Sequence, residues 1–363
     1  MAHTAQNVYS DLVLAKIRSE LVLKDGFVFN NDYETDTKGN KKIPVRDTEV
    51  AVSDYDKANG ISATSGDTSY MDVIIDKDKA VNEIVDDYDA ASVPDKIISD
   101  RLDSAGYSLA KQIDTDGATV LLAGATVMNF AQLTKANIYD AIVDIRQAMS
   151  KANIPDDGKR YLLATPETVS LILKSPDFTK ASALGDAVVQ SGVIGKIAGF
   201  LVREWNDSTA NLAMIAGHPR YATRINEWKK PVHIQDLNGS GKYIGACAVQ
   251  GRMIYTHKVL RSVAIRAVYA PGSLTASLAA GATDGTTIAT VTAGNTGTTY
   301  AYKKNPSSRA TYDMTSSAYS GTSLTSGTTE ISVSAGDIIE IVNLSSSKVK
   351  AVAYLTVTAD YIK

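Results

Sequence analysis

Three glycines, Gly192, Gly195 and Gly199, run directly into Phe200-Leu-Val-Arg203-Glu-Trp-Asn206-Asp207. Glycine supplies tight turns and close backbone approach. The run therefore predicts a turn that delivers the chain into a short buried strand, closed by an Asn-Asp turn. It carries no chemistry. Its meaning depends on the order of the segments around it.

A chain of 363 residues can bury at least one large core and accommodate two or more domains. With 21% charged residues and a formal net charge of −3, it offers no whole-surface attraction for nucleic acid or anionic membrane. Cys247 is the sole cysteine, so an intrachain disulfide is excluded. No flanking motif marks that thiol as a nucleophile, and a buried structural cysteine is the simpler reading. The N-terminal Met-Ala-His-Thr-Ala-Gln lacks the basic and apolar regions of a signal peptide. No apolar run approaches the ~18 residues of a membrane span. The expectation is a chain made and assembled in a cytoplasm.

Residues Gln6 to Leu23 predict an amphipathic helix through Val8, Leu12, Ile17 and Leu21, stopped at Asp25-Gly26. From Phe27 to Asp72 the pattern changes to a long two-stranded excursion: Phe27–Phe29, Ile43–Val52 and a strand from Thr68, separated by polar stretches. A lone hairpin is marginal in water, so this one should rest on another surface, which a neighbouring subunit would supply. The clearest helix is expected over Ser92–Leu122, with Ser92 as cap, Pro94 in the first turn and Ile98, Leu102, Ala105, Leu109, Ile113 and Val120 near helical period. Gly106 and Gly117 weaken its continuity. A second helix follows from Thr134, with Ile138, Ile142, Ile145 and Met149 on one face, then a buried strand at Tyr161–Ala164 and a helix opened by Thr165-Pro166. Strand candidates continue to Val268, giving an α+β body without a regular βαβ rhythm.

Pro271-Gly272 is the best domain boundary. Ser and Thr make up 31 of the 93 residues beyond Ala270, yet short apolar alternations recur at 286–292, 298–302, 329–333, 337–343 and 348–358. That alternation argues for a small β-sandwich of immunoglobulin-like type over a disordered tail.

Motifs for chemistry are missing. The four histidines form no His-Glu-x-x-His pattern, and no Cys/His pair has ligand spacing. Asp114-Thr-Asp116-Gly117 lacks the remaining ligands of a calcium loop. Gly239-Ser-Gly241-Lys242 lacks the first glycine and the Ser/Thr of a phosphate loop, and reads as a turn. No nucleophile elbow or dinucleotide fingerprint occurs. Neither a catalytic residue, a cofactor nor a metal is expected.

Charge is distributed unevenly. Met71–Gly117 holds twelve acidic against five basic residues, and Arg220–Arg266 holds nine basic against two acidic. Two readings stand side by side: solvated faces paired within the chain, or complementarity between copies that sets register. In the second, the candidate intersubunit contacts are Lys41, Lys42 and Arg46 in the hairpin, Asp86, Asp87, Asp95 and Asp100 in the acidic stretch, and Arg224, Lys229 and Lys230 in the basic one. A basic patch facing nucleic acid is a third reading.

Taken in order, these segments resemble the major capsid protein of tailed phages with the Hong Kong 97-type fold, over about residues 1–270. The resemblance rests on the Asp114/Asp116 region, Arg160-Tyr-Leu-Leu-Ala-Thr-Pro166, Gly192–Asp207, and the closing Arg252-Met-Ile-Tyr to Arg266-Ala-Val-Tyr269. It implies an N-terminal arm at 1–26, an extended loop at 27–72 lying on an adjacent subunit, and a peripheral domain with spine helix at 73–127. An axial domain at 128–252 and return strands at 253–270 would follow, with the immunoglobulin-like sandwich at 271–363 as a departure from the minimal plan. It further implies hexamers and pentamers of an icosahedral shell enclosing DNA without sequence specificity, located in the virion and assembled in the host bacterial cytoplasm. A separate scaffolding protein is expected, because the chain starts almost directly with the arm. Portal and decoration proteins are further expected partners, and no membrane is involved. Some relatives crosslink lysine to asparagine, and Lys38, Lys41 and Lys42 lie in the loop, without showing that chemistry. The sandwich would project outward, and its deletion should leave assembly of 1–270 intact. The alternatives are another self-assembling surface or tail-tube protein and, from a different class, an enzyme with a β-sandwich binding module.

Overall fold

The structure is a computed structural model that describes residues 16–363 apart from 17, 47–48, 51, 62–65, 67, 93–96, 177–194 and 294–298. The chain lays down β1 (Lys41–Val45), β2 (Ser69–Val73), β3 (Lys77–Asp86), α1 (Asp87–Ser92) and α2 (Ile97–Gly124). Next come β4 (Thr126–Asn129), α3 (Ile138–Lys151), β5 (Tyr161–Ala164), α4 (Pro166–Leu173), β6 (Lys196–Ile197), β7 (Phe200–Glu204) and β8 (Leu212–Gly217). Two long strands, β9 (Ala222–Asp236) and β10 (Ala246–Val259), precede β11 (Arg266–Tyr269). The last part carries β12 (Gly272–Ser273), β13 (Thr275–Ala280), β14 (Thr286–Ala293), β15 (Thr299–Lys304), β16 (Thr322–Leu324), β17 (Glu330–Ser332), β18 (Ile338–Ser345) and β19 (Lys348–Thr356).

Two compact units result: residues up to Gly124 with Pro219–Leu260, and Ala125–His218 with Arg261–Lys363. This division cuts across the expected axial segment 128–252. Its portion from Pro219 returns to the first unit because β10 pairs antiparallel with β9 on one side and with β3, from Ala246↔Asp86 to Tyr255↔Lys77, on the other. The expected return segment 253–270 is likewise split at Leu260.

In the first unit the 28 residues of α2 span about 42 Å at ~1.5 Å per residue. Ala105, Leu109, Ile113, Gly117, Ala118 and Leu121 form its buried face. The helix runs unbroken through Gly117. A Cβ there would lie 3.1 Å from the Phe29 ring and 3.2 Å from His257, so glycine lets those rings approach without being pushed back by a few tenths of an ångström. Ser92 is the last residue of α1, and the expected cap with Pro94 lies outside the described residues. The helix expected over Gln6–Leu23 falls mostly outside them too, and its described part from Arg18 is not helical. There the Leu23 N–H donates to Asp114 Oδ2 at 3.3 Å, giving up a donor to the neighbouring helix. The excursion is borne by β1 and β2, paired antiparallel from Lys41↔Val73 to Val45↔Ser69. Pro44 is tolerated because each strand of a two-stranded ribbon has a free edge.

The second unit holds a mixed six-stranded sheet in the order β4-β11-β8-β5-β7-β6. Its central strands β5 (YLLA) and β8 (LAMIAG) are buried throughout, as strands covered on both faces must be. The glycine turn is an antiparallel hairpin: Lys196 and Ile197 pair with Leu201 and Phe200, and the turn uses Ala198 (φ 44°) and Gly199 (φ 86°). Gly192 lies outside the described residues. Arg160, fully buried before β5, donates to the carbonyls of Pro155 (2.9 Å) and Ile154 (2.5 Å) and to Ser150 Oγ (3.2 Å). The guanidinium thus ties down the turn that follows α3, at Ile154 and Pro155, and fastens it to the Ser150 hydroxyl in the last turn of the helix.

Beyond Ala270 two sheets, β12-β19-β18-β15-β16 and β13-β14-β17, face one another as a β-sandwich. Leu278, Ala289 and Ile331 from one sheet and Ile339, Ile341, Ala351 and Ala353 from the other fill its core. A second cluster, with Ala310, Tyr319, Val342, Val349 and Val352, covers the opposite face of the larger sheet. The short apolar alternations thus fall on real strands, and β13 (TASLAA) was invisible because its small residues give no periodic signal.

Candidate assembly surfaces

The hairpin is clamped at its base and bare beyond it. Ile43 and Val73 are buried with Ile225 of β9, with Tyr33, Met71, Ile75 and Leu260 packed around them. Glu227 of β9 fixes the clamp. Its Oε1 accepts from the Gly39 N–H at 2.5 Å, and its Oε2 lies 3.3 Å from Lys41 Nζ. Lys38 Nζ donates to the Glu227 carbonyl. Burial pushes the Glu227 carboxyl up, but the Gly39 N–H and Lys41 together outweigh it, so the group sits below the usual range. Further out, Val50 is 87%, Val52 97% and Tyr55 71% exposed, with Tyr70 also largely bare. Singly exposed apolar residues are ordinary, but here they recur along the stretch that joins β1 to β2.

The arm is held by a buried polar knot. Arg224 of β9 donates from Nε to His257 Nε2 (2.9 Å) and from Nη2 to the Leu23 carbonyl (2.5 Å), and reaches Asp25 at 3.2 Å and Asp114 at 3.8 Å. Its guanidinium lies 5.3 Å from the Phe29 ring centre. Tyr255 donates its hydroxyl proton to Asp116 Oδ2 at 2.8 Å. Desolvation and the neighbouring Arg224 cation drive the His257 pKa from 6.5 down to about 3, so the imidazole is neutral and accepts the Arg224 hydrogen bond. Burial raises the Asp25 and Asp114 carboxyls although Arg224 opposes the rise. The Asp114/Asp116 pair is therefore a structural anchor, and no group of metal-ligand type occurs among the described residues. Outside the knot, Lys16 pairs with Asp100 (2.7 Å) and Arg18 with Asp103 (2.5 Å), so the arm tracks along α2.

Of the ten charged candidates, Lys41, Asp100 and Arg224 are engaged within the chain, and Asp95 lies outside the described residues. Lys42, Arg46, Asp86, Asp87, Lys229 and Lys230 are exposed, Lys42 with a loose pair to Asp72 at 3.6 Å. The acidic and basic stretches meet inside the first unit, where Arg252 of β10 forks onto Asp78 of β3, 2.8 Å at its Nε. Part of the charge asymmetry is thus satisfied internally. Sequence reasoning missed Glu227 and His257, since a lone Glu or His in a strand has no motif.

A family model described as phage capsid protein matches residues 82–241. Among solved structures, the chain resembles one of Mycobacterium phage Che8 (21% identity, TM-score 0.62, covering 73% of this chain and 96% of that one). It also resembles the capsid structure of the cyanophage P-SCSP1u (13%, TM-score 0.62, 74% and 93%) and the mature capsid of bacteriophage PhiM1 (15%, TM-score 0.54, 71% and 92%). No curated protein sequence matches. The fold is that of phage capsid chains.

Proposed function

We propose that this chain is the major capsid protein of a tailed bacteriophage, with a Hong Kong 97-type body and an added immunoglobulin-like sandwich. It is a structural protein and not an enzyme. The observation that carries the proposal is the hairpin, firmly clamped at its base by Glu227 yet apolar and bare at Val50, Val52 and Tyr55. In a capsid fold such a ribbon is completed by another copy of the chain. In this reading the ribbon is the extended loop, α2 the spine of the peripheral domain, and the six-stranded sheet the axial domain. Hexamers and pentamers close into an icosahedral shell around DNA held by proximity, in the virion, after assembly in the host cytoplasm. Scaffolding, portal and decoration proteins are the expected partners. The exposed Lys42, Arg46, Asp86, Asp87, Lys229 and Lys230 are the charges left to set register between copies. Electron microscopy of the purified chain, with and without a co-expressed scaffold candidate, tests this. Closed shells or capsomer rings are expected, and a strictly monomeric species under both conditions would overturn it.

A further inference from the structure

The sandwich reads from sequence as a detachable appendage, but in the second unit one of its loops reaches back onto the six-stranded sheet. Three kinds of attachment converge there. The Tyr312 N–H donates to the Phe130 carbonyl at 2.9 Å, beside an antiparallel bridge between Ala131 and Thr311, immediately past the edge strand β4. The Tyr312 ring stacks on Tyr269 of β11, with centroids 5.4 Å apart and planes 16° from parallel. Asn211, just before β8, donates its side-chain amide to both the Lys350 carbonyl of β19 (2.7 Å) and the Ala270 carbonyl (3.2 Å).

The loop is itself stiffened. Lys350 Nζ sits 4.4 Å over the Tyr312 ring and donates to its hydroxyl at 3.1 Å. Asp313 binds that ammonium and, at 3.1 Å, the one of Lys348. Asp313 adopts φ 58°, a conformation that aspartate tolerates better than most residues. At the root of the loop, the buried Glu340 of β18 accepts the Ala310 N–H at 3.0 Å. An arm fixed at its root to one sheet and at its tip to another transmits orientation between them.

We infer that the segment Arg309–Met314 is a brace that fixes the sandwich to the six-stranded sheet, with Tyr312 as its key. The sandwich is then an integral part of the second unit, holding a set direction whether or not the chain assembles. It also occupies the exit of the edge strand β4, where an open ladder would invite pairing with another copy.

Hydrogen exchange on the full-length chain, read by mass spectrometry, tests the brace. In Tyr312→Ala, peptides covering 126–132 and 308–314 should exchange roughly tenfold faster, the loss expected for an aromatic stack with its overlying cation. Peptides within 338–345, in the sandwich interior, should keep their parent rates. Tyr312→Phe should stay close to the parent, and Asn211→Ala should accelerate the same junction peptides independently. Unchanged junction rates in both Tyr312→Ala and Asn211→Ala would overturn the brace. Faster exchange within 338–345 in Tyr312→Ala would do so too, by making Tyr312 a core residue of the sandwich alone.

Discussion

The sandwich and the hairpin both carry apolar side chains on paired strands, and they differ in where those side chains go. In the sandwich, Ile339 and Ile341 of β18 meet Ala289 and Ile331 of the opposing sheet, so the apolar surface is consumed inside the chain. In the hairpin only the base, at Ile43 and Val73, finds such a partner, and the outer residues stay bare. A segment that closes on itself contributes to folding stability, whereas one that does not holds its apolar area in reserve for association. The two should therefore respond oppositely to mutation in the isolated chain and in the assembly.

The largest effect on folding is expected in the closed region. Ile341→Ala removes a fully buried side chain between two sheets and should cost about 2–5 kcal/mol, as large-to-small core changes do. Chemical denaturation of the unassembled chain measures it. A loss below about 1 kcal/mol would show that the sandwich core is loosely packed and that the contrast with the hairpin is weaker than drawn.

Acid should act next, on the first unit. His257 is depressed in the folded chain from 6.5 to about 3, so the unfolded chain binds the proton more readily. Its contribution is complete above pH 6.5 and is lost as pH falls toward 3, on the order of a few kcal/mol. Protonation would set an imidazolium against Arg224, at the knot that holds the arm. Stability measured from pH 7 to 4 should decline in the parent and less steeply in His257→Gln. Parallel declines would move the acid sensitivity to other groups.

Glu227 joins the two behaviours, because it fixes the base from which the bare part projects. Glu227→Gln keeps an acceptor for Gly39 but leaves Lys41 without its carboxylate, at a cost of about 1–3 kcal/mol felt locally. Exchange of the β1 and β2 amides should rise while α2 stays protected. The carboxyl is depressed in the folded chain, so the clamp is fully present above about pH 4.5 and weakens as pH falls through the folded value. Equal protection of β1 in parent and variant would mean that apolar packing alone holds the base.

Much of this architecture was legible in the sequence, for reasons visible in particular residues. Helical period exposed α3 through Ile138, Ile142, Ile145 and Met149, and alternation exposed β19 through Val349, Ala351 and Ala353, because burial repeats with the geometry of each element. The ends of α2 were less clear, and Gly117 looked like a weakness. Its role depends on Phe29 and His257, which approach from distant parts of the chain. The described arm residues lost their helical reading for the same reason, since Asp114 takes the Leu23 donor. The unit boundary at Pro219 and the site residues Glu227 and Tyr312 were hidden because each acts through a long-range pairing. Local pattern records which face is buried but not what buries it.

The smallest expected effect on folding is the most telling about the hairpin. Val52 is 97% exposed, so Val52→Asp should change the stability of the isolated chain by no more than about 0.5 kcal/mol. The same carboxylate placed against an apolar surface of another copy would be desolvated without a partner, which is strongly unfavourable. The variant should therefore fold as the parent does yet fail to form shells or capsomer rings, while Val52→Ile assembles. Sedimentation of the assembled fraction beside a melt of the unassembled chain separates the two quantities. If Val52→Asp assembles as the parent does, residue 52 faces solvent in the shell and the apolar reserve is used elsewhere on the ribbon, with Tyr55 and Tyr70 the next positions to change. A lower melting point in the unassembled chain would instead give Val52 a folding role, and the distinction between a ribbon that closes on itself and one that waits for a partner would fail at this residue.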